Sequence, residues 1–202
     1  MMRFLYKVIF LVVSLNVILV DAQLDKFQFH LGGSYEFISI TGNGLSYYPP
    51  YMTISGGAHY GLWHSNDQIA LSLNPNAQIG LSYNSFTGMS FLGQLPCFVM
   101  LRAGAACTPF NEQKFGAGIG GGFNFTYLNE KYAAVINNTI YGVETNFITP
   151  SVAAQLTFQN QVRILTLRFH SSIYPYSARF AAPFNPLKFN YLGYGLGLLY
   201  NF

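Results

Sequence analysis

From Lys188 to Phe202 the chain alternates between two unlike kinds of residue. Leu192, Tyr194, Leu196, Leu198, Tyr200 and Phe202 take one set of positions. Gly193, Gly195, Gly197 and Asn201 take the other, with Leu199 the one exception. Side chains of a strand point alternately to its two faces. The segment therefore reads as a strand with one oily face and one small or polar face.

The same alternation divides the rest of the chain. Strands are expected at roughly 26–37, 51–62, 68–84, 91–103, 114–127, 151–158, 161–170 and 188–202. The fifth is the clearest: Phe115, Ala117, Ile119, Phe123, Phe125 and Tyr127 alternate with Gly116, Gly118, Gly120, Gly122, Asn124 and Thr126. The apolar phases of the first three strands carry Phe27, Phe29, Leu31, Tyr35 and Phe37; Met52, Ile54, Ala58, Tyr60 and Leu62; and Ile69, Leu71, Leu73, Ala77, Ile79, Leu81 and Tyr83.

Charge content decides what the oily faces meet. Only 8% of the 202 residues are charged, while 17% are aromatic. Soluble domains carry about 25% charged residues and need them to cover their surface. Beyond the N-terminus no unbroken apolar run approaches the ~20 residues a membrane helix requires. A soluble ligand-carrying barrel keeps its apolar side inside and its charge outside. Here the uncharged side is also the aromatic side, and the opposite side is Gly, Ser, Thr, Asn and Gln. The expected fold is an all-β, antiparallel transmembrane barrel of about eight strands. Arg163 is the only charge in the outward set and lies beside a predicted turn. Arg costs ~2–4 kcal/mol at the midplane of a barrel's lipid face but little near the interface.

The connections fit this topology. They fall at about 38–50, 63–67, 85–90, 104–113, 128–150, 159–160 and 171–187, and Gln159-Asn160 reads as a tight turn. Long connections at one end and short ones at the other are the outer-membrane habit. Pro75 removes a ladder hydrogen bond mid-strand. Either the third strand is bulged there, or Asn74-Pro75-Asn76 joins two short strands and the count rises to ten. Residues 1–22 read as a secretory signal, with Arg3 and Lys7 before an apolar core and a cut before Gln23. The barrel domain is then 23–202. An uncleaved anchor is the competing reading, and no Cys follows the cut to carry a lipid. The net charge of +3 is scattered, with no basic stripe for nucleic acid.

The architecture and the terminal strand, with Tyr200 and Phe202 at its end, resemble the small bacterial outer-membrane β-barrels of the OmpA/OmpX-like superfamily. No motif specific to one family accompanies them. The resemblance implies location in the bacterial outer membrane and contact with its lipid. It also implies recognition of the C-terminal aromatic residue by the barrel-assembly machinery. Members of that superfamily are pores, adhesins, enzymes and structural anchors.

Few ionisable groups point inward: Glu36, Arg102, Arg168, His30, His59 and His170. Charges in a narrow lumen are costly unless paired, so Glu36 is expected to pair with Arg168 or Arg102. That network is either a structural plug or an ion gate. The three histidines have no diagnostic metal spacing, and no cofactor or metal is expected. His170 and Ser172 could form a minimal nucleophilic pair. They faintly resemble the His-x-Ser of outer-membrane lipid A deacylases, but Ile173 replaces the family's Asn and no orienting carboxylate is evident on the last strand. No catalytic residue is assigned. The Gly116–Gly122 run lacks the Lys and the helix of a phosphate loop and reads as barrel wall. Cys97 falls in a strand and Cys107 in the following turn, too far apart in extended chain for a disulfide. The leading function is a non-enzymatic barrel with a filled interior, serving structure or contact with a surface partner. A narrow porin-like pore for ions or small solutes is the alternative, followed by a lipid A-modifying enzyme.

Overall fold

A computed structural model describes residues 27–42, 45–65, 67–84, 88–108, 111–134, 139–160, 163–180 and 187–201. The expected signal segment and Phe202 lie outside these residues. The strands are β1 (Phe27–Gly42), β2 (Leu45–Tyr47), β3 (Pro50–Ser65), β4 (Ile69–Asn84), β5 (Gly88–Gly104), β6 (Phe115–Ala134), β7 (Thr139–Asn160), β8 (Arg163–Ser172), β9 (Tyr176–Phe180) and β10 (Leu187–Asn201). All neighbours are antiparallel. Eight strands form a ring in the order β1-β3-β4-β5-β6-β7-β8-β10, and β10 closes on β1 from His30↔Asn201 to Thr41↔Asn190. The short β2 and β9 pair with the outer ends of β1 and β10. They continue the rims of β3 and β8 after breaks at Tyr48-Pro49 and Ile173–Pro175.

The exterior is an apolar band edged by aromatic rings. On β6, Phe115, Ile119 and Phe123 stand exposed on the outer wall. Lys114 precedes the band, and Tyr127 ends it by donating its hydroxyl to Glu144 at 2.8 Å. Ring pairs Phe27–Tyr60 and Phe115–Phe158 mark the end that carries the tight turns. Phe37–Tyr194 and Phe91–Tyr127 mark the other. Two aromatic girdles about an uncharged band match the two interfaces of a bilayer.

Three expectations need correction. The strands run well past their predicted outer ends: β1 reaches Gly42, β6 reaches Ala134 and β7 begins at Thr139. Most of 128–150, expected as a connection, is a hairpin. Above the membrane, water replaces lipid outside the wall, so the apolar phase moves to the inside. On β1 the inward series His30, Ser34, Glu36 gives way to Ile38 and Ile40, while Ser39 and Thr41 face out. The alternation persists with inverted sign, and the lipid-facing signature disappears.

The second correction concerns the β7–β8 turn. Gln159 and Asn160 are paired with Ile164 and Arg163, so both belong to the ladder and not to a turn. The third concerns Pro75. β4 is one unbroken strand, and its register with β5 is the same on both sides of the proline, from Pro75↔Cys97 to Gln78↔Gln94. Pro75 points outward, where neighbouring ladder contacts are simply missing. The bulge sits instead on β3, between Gly61 and Trp63.

Candidate functional site

The interior is the candidate site, and it is filled at three heights. At the end with the tight turns, Gly104 ends β5 in a left-handed conformation (φ 77°). That conformation suits glycine and reverses the chain sharply. The turn Ala105–Thr108 is then buried. The Cys107 thiol donates to the Asp67 carbonyl at 3.0 Å, and Asn111 Nδ2 donates to the same oxygen. From inside the barrel, Arg102 Nη2 donates to the Ala106 carbonyl and to Gln28 Oε1 at 2.9 Å. Both cysteines are free, Cys97 on the outer wall and Cys107 in this floor. Burial pushes the Cys107 thiol above its ordinary pKa.

The middle layer is polar. Arg168 Nη2 donates to Asn74 Oδ1 at 3.1 Å and to Gln155 Oε1 at 3.3 Å, with His59 Nε2 at 3.4 Å. His30 and His59 face each other with ring centroids 5.0 Å apart. Glu36 is 1% exposed, accepts from Ser34 Oγ at 2.7 Å and meets His170 Nε2 at 3.0 Å. The expected pairing of Glu36 with an arginine is therefore wrong. His170, on the strand next to β10, reaches Glu36 first. Gly195 lies between them in the cross-strand row and leaves the space. Among the described residues both arginines are held by neutral oxygens. The histidines form a His30–His59 pair and a separate His170–Glu36 pair, rather than one cluster.

Glycines make room for this filling. A side chain at Gly120 would strike Met100 Sδ, and one at Gly122 would strike the Cys97 carbonyl and Phe98 Cα. The β6 glycines thus leave the volume that Phe98 and Met100 occupy, together with Ala153. Leu199, the exception in the last strand's pattern, points inward and rests over Gly32.

The outer layer is apolar. Ile38, Ile40, Tyr51, Leu92, Leu128, Phe147 and Tyr191 converge from six strands. Tyr176 of β9 stacks on Phe147, centroids 4.8 Å apart and planes 9° apart. The Tyr51 hydroxyl donates to the buried Glu130 carboxylate. Sequence reasoning missed this layer, because apart from Tyr51, Leu92 and Tyr191 its members fall in segments read as connections. Their inverted alternation was the available signal.

The ring is closed, the outer wall is an uncharged band between aromatic girdles, and no described helix is long and apolar enough to cross a membrane. Only lipid suits such a wall. The chain is a small membrane-spanning β-barrel. No protein-family model matches it, and no curated protein sequence does. Similar solved structures include the outer membrane protein OprG from Pseudomonas aeruginosa, at 13% identity and TM-score 0.47, covering 88% of this chain and 97% of that one. The attachment invasion locus protein Ail of Yersinia pestis is similar at 10% identity and TM-score 0.46, over 88% of this barrel and 99% of its own chain. Neisserial surface protein A is similar at 10% identity and TM-score 0.43, over 84% and 95%.

Proposed function

We propose that this is a closed, non-conducting and non-enzymatic barrel of the bacterial outer membrane, with a structural or surface-contact role. One observation carries the reading: inward side chains are buried at all three heights, from the Ala105–Thr108 floor through Glu36 and Arg168 to Tyr51 and Tyr191. Packing of this kind leaves no continuous path for hydrated ions. Surface contact is favoured by the β6–β7 hairpin. Its strands have 20 and 22 residues, and a membrane-spanning strand needs only ~9–11. At ~3.3 Å per residue and a ~45° tilt, β6 rises ~47 Å against a band ~25 Å tall. The hairpin therefore stands clear of the lipid. In the His170–Ser172 segment, His170 is turned to Glu36 inside the barrel, and the Ser172 hydroxyl lies 3.2 Å from Thr149 Oγ1. Both are buried, which favours a hydrogen-bonding role over chemistry on lipid. In this reading, residues 1–22 direct export, and the assembly machinery inserts the barrel by its last strand.

The test is conductance of the refolded protein in a planar bilayer. A flat baseline across a wide voltage range is expected. Steady unitary steps from protein verified as folded would select the pore reading instead.

A further inference from the structure

Two arginines are shut inside this barrel, and among the described residues no carboxylate is paired with either. Arg102, Gly118, Gln155 and Arg168 are successive cross-strand partners on β5, β6, β7 and β8. Gly118 has no side chain, and the stems of Arg102 and Gln155 close over it. The two guanidiniums thus flank a single row of the inner wall. Both residues are at least 96% buried, at 4% and 3% exposure.

The partners of these cations are all neutral. Arg102 is held by the Gln28 carboxamide and the Ala106 carbonyl. Arg168 is held by the Asn74 and Gln155 carboxamides. Among the described inward carboxylates, Glu36 is taken by His170, and Glu130 lies in the outer layer with Tyr51. Arg102 Nε, Arg168 Nε and Arg168 Nη1 are buried donors without a protein acceptor. His59 Nδ1 lies in the same layer, also without one. A guanidinium cannot shed its proton to escape this position. A buried cation needs a counter-charge, and unfilled charged donors are the strongest pull on one.

We infer that this polar layer of the interior binds a small inorganic anion of the chloride class, held by the free N–H groups of Arg102 and Arg168 beside the His30–His59 pair. The anion supplies a negative charge beside the two guanidiniums. It is enclosed during folding, because the floor and the outer layer bury this polar layer on both sides. The inference concerns what the interior holds, and it stands or falls separately from conductance.

The probe is bromide in place of chloride. Crystals of the refolded barrel grown in sodium bromide should show an anomalous scattering peak within hydrogen-bonding distance of both guanidiniums. In solution, the folded-to-unfolded ratio should rise toward tenfold for each tenfold increase in chloride or bromide. Sodium gluconate at equal ionic strength should give no such rise. Arg102→Met/Arg168→Met should remove the halide dependence, and the wild-type crystal stands as a test even if that variant does not fold. The site is refuted by an empty anomalous map beside the two guanidiniums, by equal stability in halide and gluconate, or by a halide dependence that survives in the double variant.

Discussion

Gly195→Ala is the sharpest probe of the polar interior. Gly195 lies between Glu36 on β1 and His170 on β8. A methyl group there would sit 2.5 Å from Glu36 Cδ and Oε1, well inside any real contact. The carboxylate must swing away by about an ångström. It would then give up the Ser34 hydroxyl at 2.7 Å and the His170 contact at 3.0 Å. Hydrogen bonds to a charged group contribute about 1.5–3 kcal/mol, and breaking a buried pair costs about 3–5 kcal/mol. Since the side chain can relax partly, a loss of about 2–4 kcal/mol is expected. The assay is equilibrium unfolding of the refolded barrel in detergent or lipid, read by heat-dependent gel mobility and tyrosine fluorescence. The decisive control is the same change in a Glu36→Ala background. With the carboxylate gone, the three nearest atoms to the methyl go with it, and most of the penalty should vanish as a coupling between the two sites. A Gly195→Ala protein as stable as wild type, or a penalty unchanged without Glu36, would refute the placement of Glu36 over this glycine.

Gly122→Ala should be harsher than Gly195→Ala, because its methyl meets the Cys97 carbonyl and Phe98 Cα rather than a movable side chain; loss of folding yield in a refolding titration checks it. Ile119→Arg places a charge mid-band on the lipid face and should destabilise insertion by ~2–4 kcal/mol, measured as the folded fraction in vesicles. Leu199→Ala should cost about 2–5 kcal/mol by opening a cavity beside Gly32, read by the same unfolding assay. The two cysteines should differ by solvent: a lipid-soluble thiol reagent labels Cys97 on the outer wall, while Cys107, buried and with a raised pKa, stays unlabelled by aqueous maleimide at neutral pH.

The lipid-spanning part of the fold was legible in the sequence for a simple reason. Period-two alternation with an aromatic, uncharged phase has one physical solution when charge is this scarce, and β1, β4, β6 and β10 keep their predicted faces. The rest was hidden where the solvent changes. Ile38, Ile40, Leu128 and Phe147 obey the same alternation with reversed sign, as in a water-soluble protein, and so read as irregular connections. The lumen partners were hidden by shear and depth. Knowing that Glu36, Arg102 and Arg168 point inward does not fix which neighbour each meets. His170 won Glu36 because a glycine stood between them, a fact that only the register reveals. Free cysteines followed from chain geometry alone.

Strand β7 offers the most direct examination of a wall with lipid outside and packed protein within. Ile148, Val152, Ala154, Leu156 and Phe158 face out, while Thr149, Ser151, Ala153, Gln155 and Thr157 face in and are buried. Single cysteines along this stretch, in a background lacking Cys97 and Cys107, can carry a fluorophore in refolded vesicles. Quenching by brominated acyl chains should appear at every second position, starting with 148, and aqueous iodide should quench none of the inward set. Iodide reaching the inward positions would reveal an open channel, and iodide reaching the outward ones would mean that no bilayer surrounds the barrel.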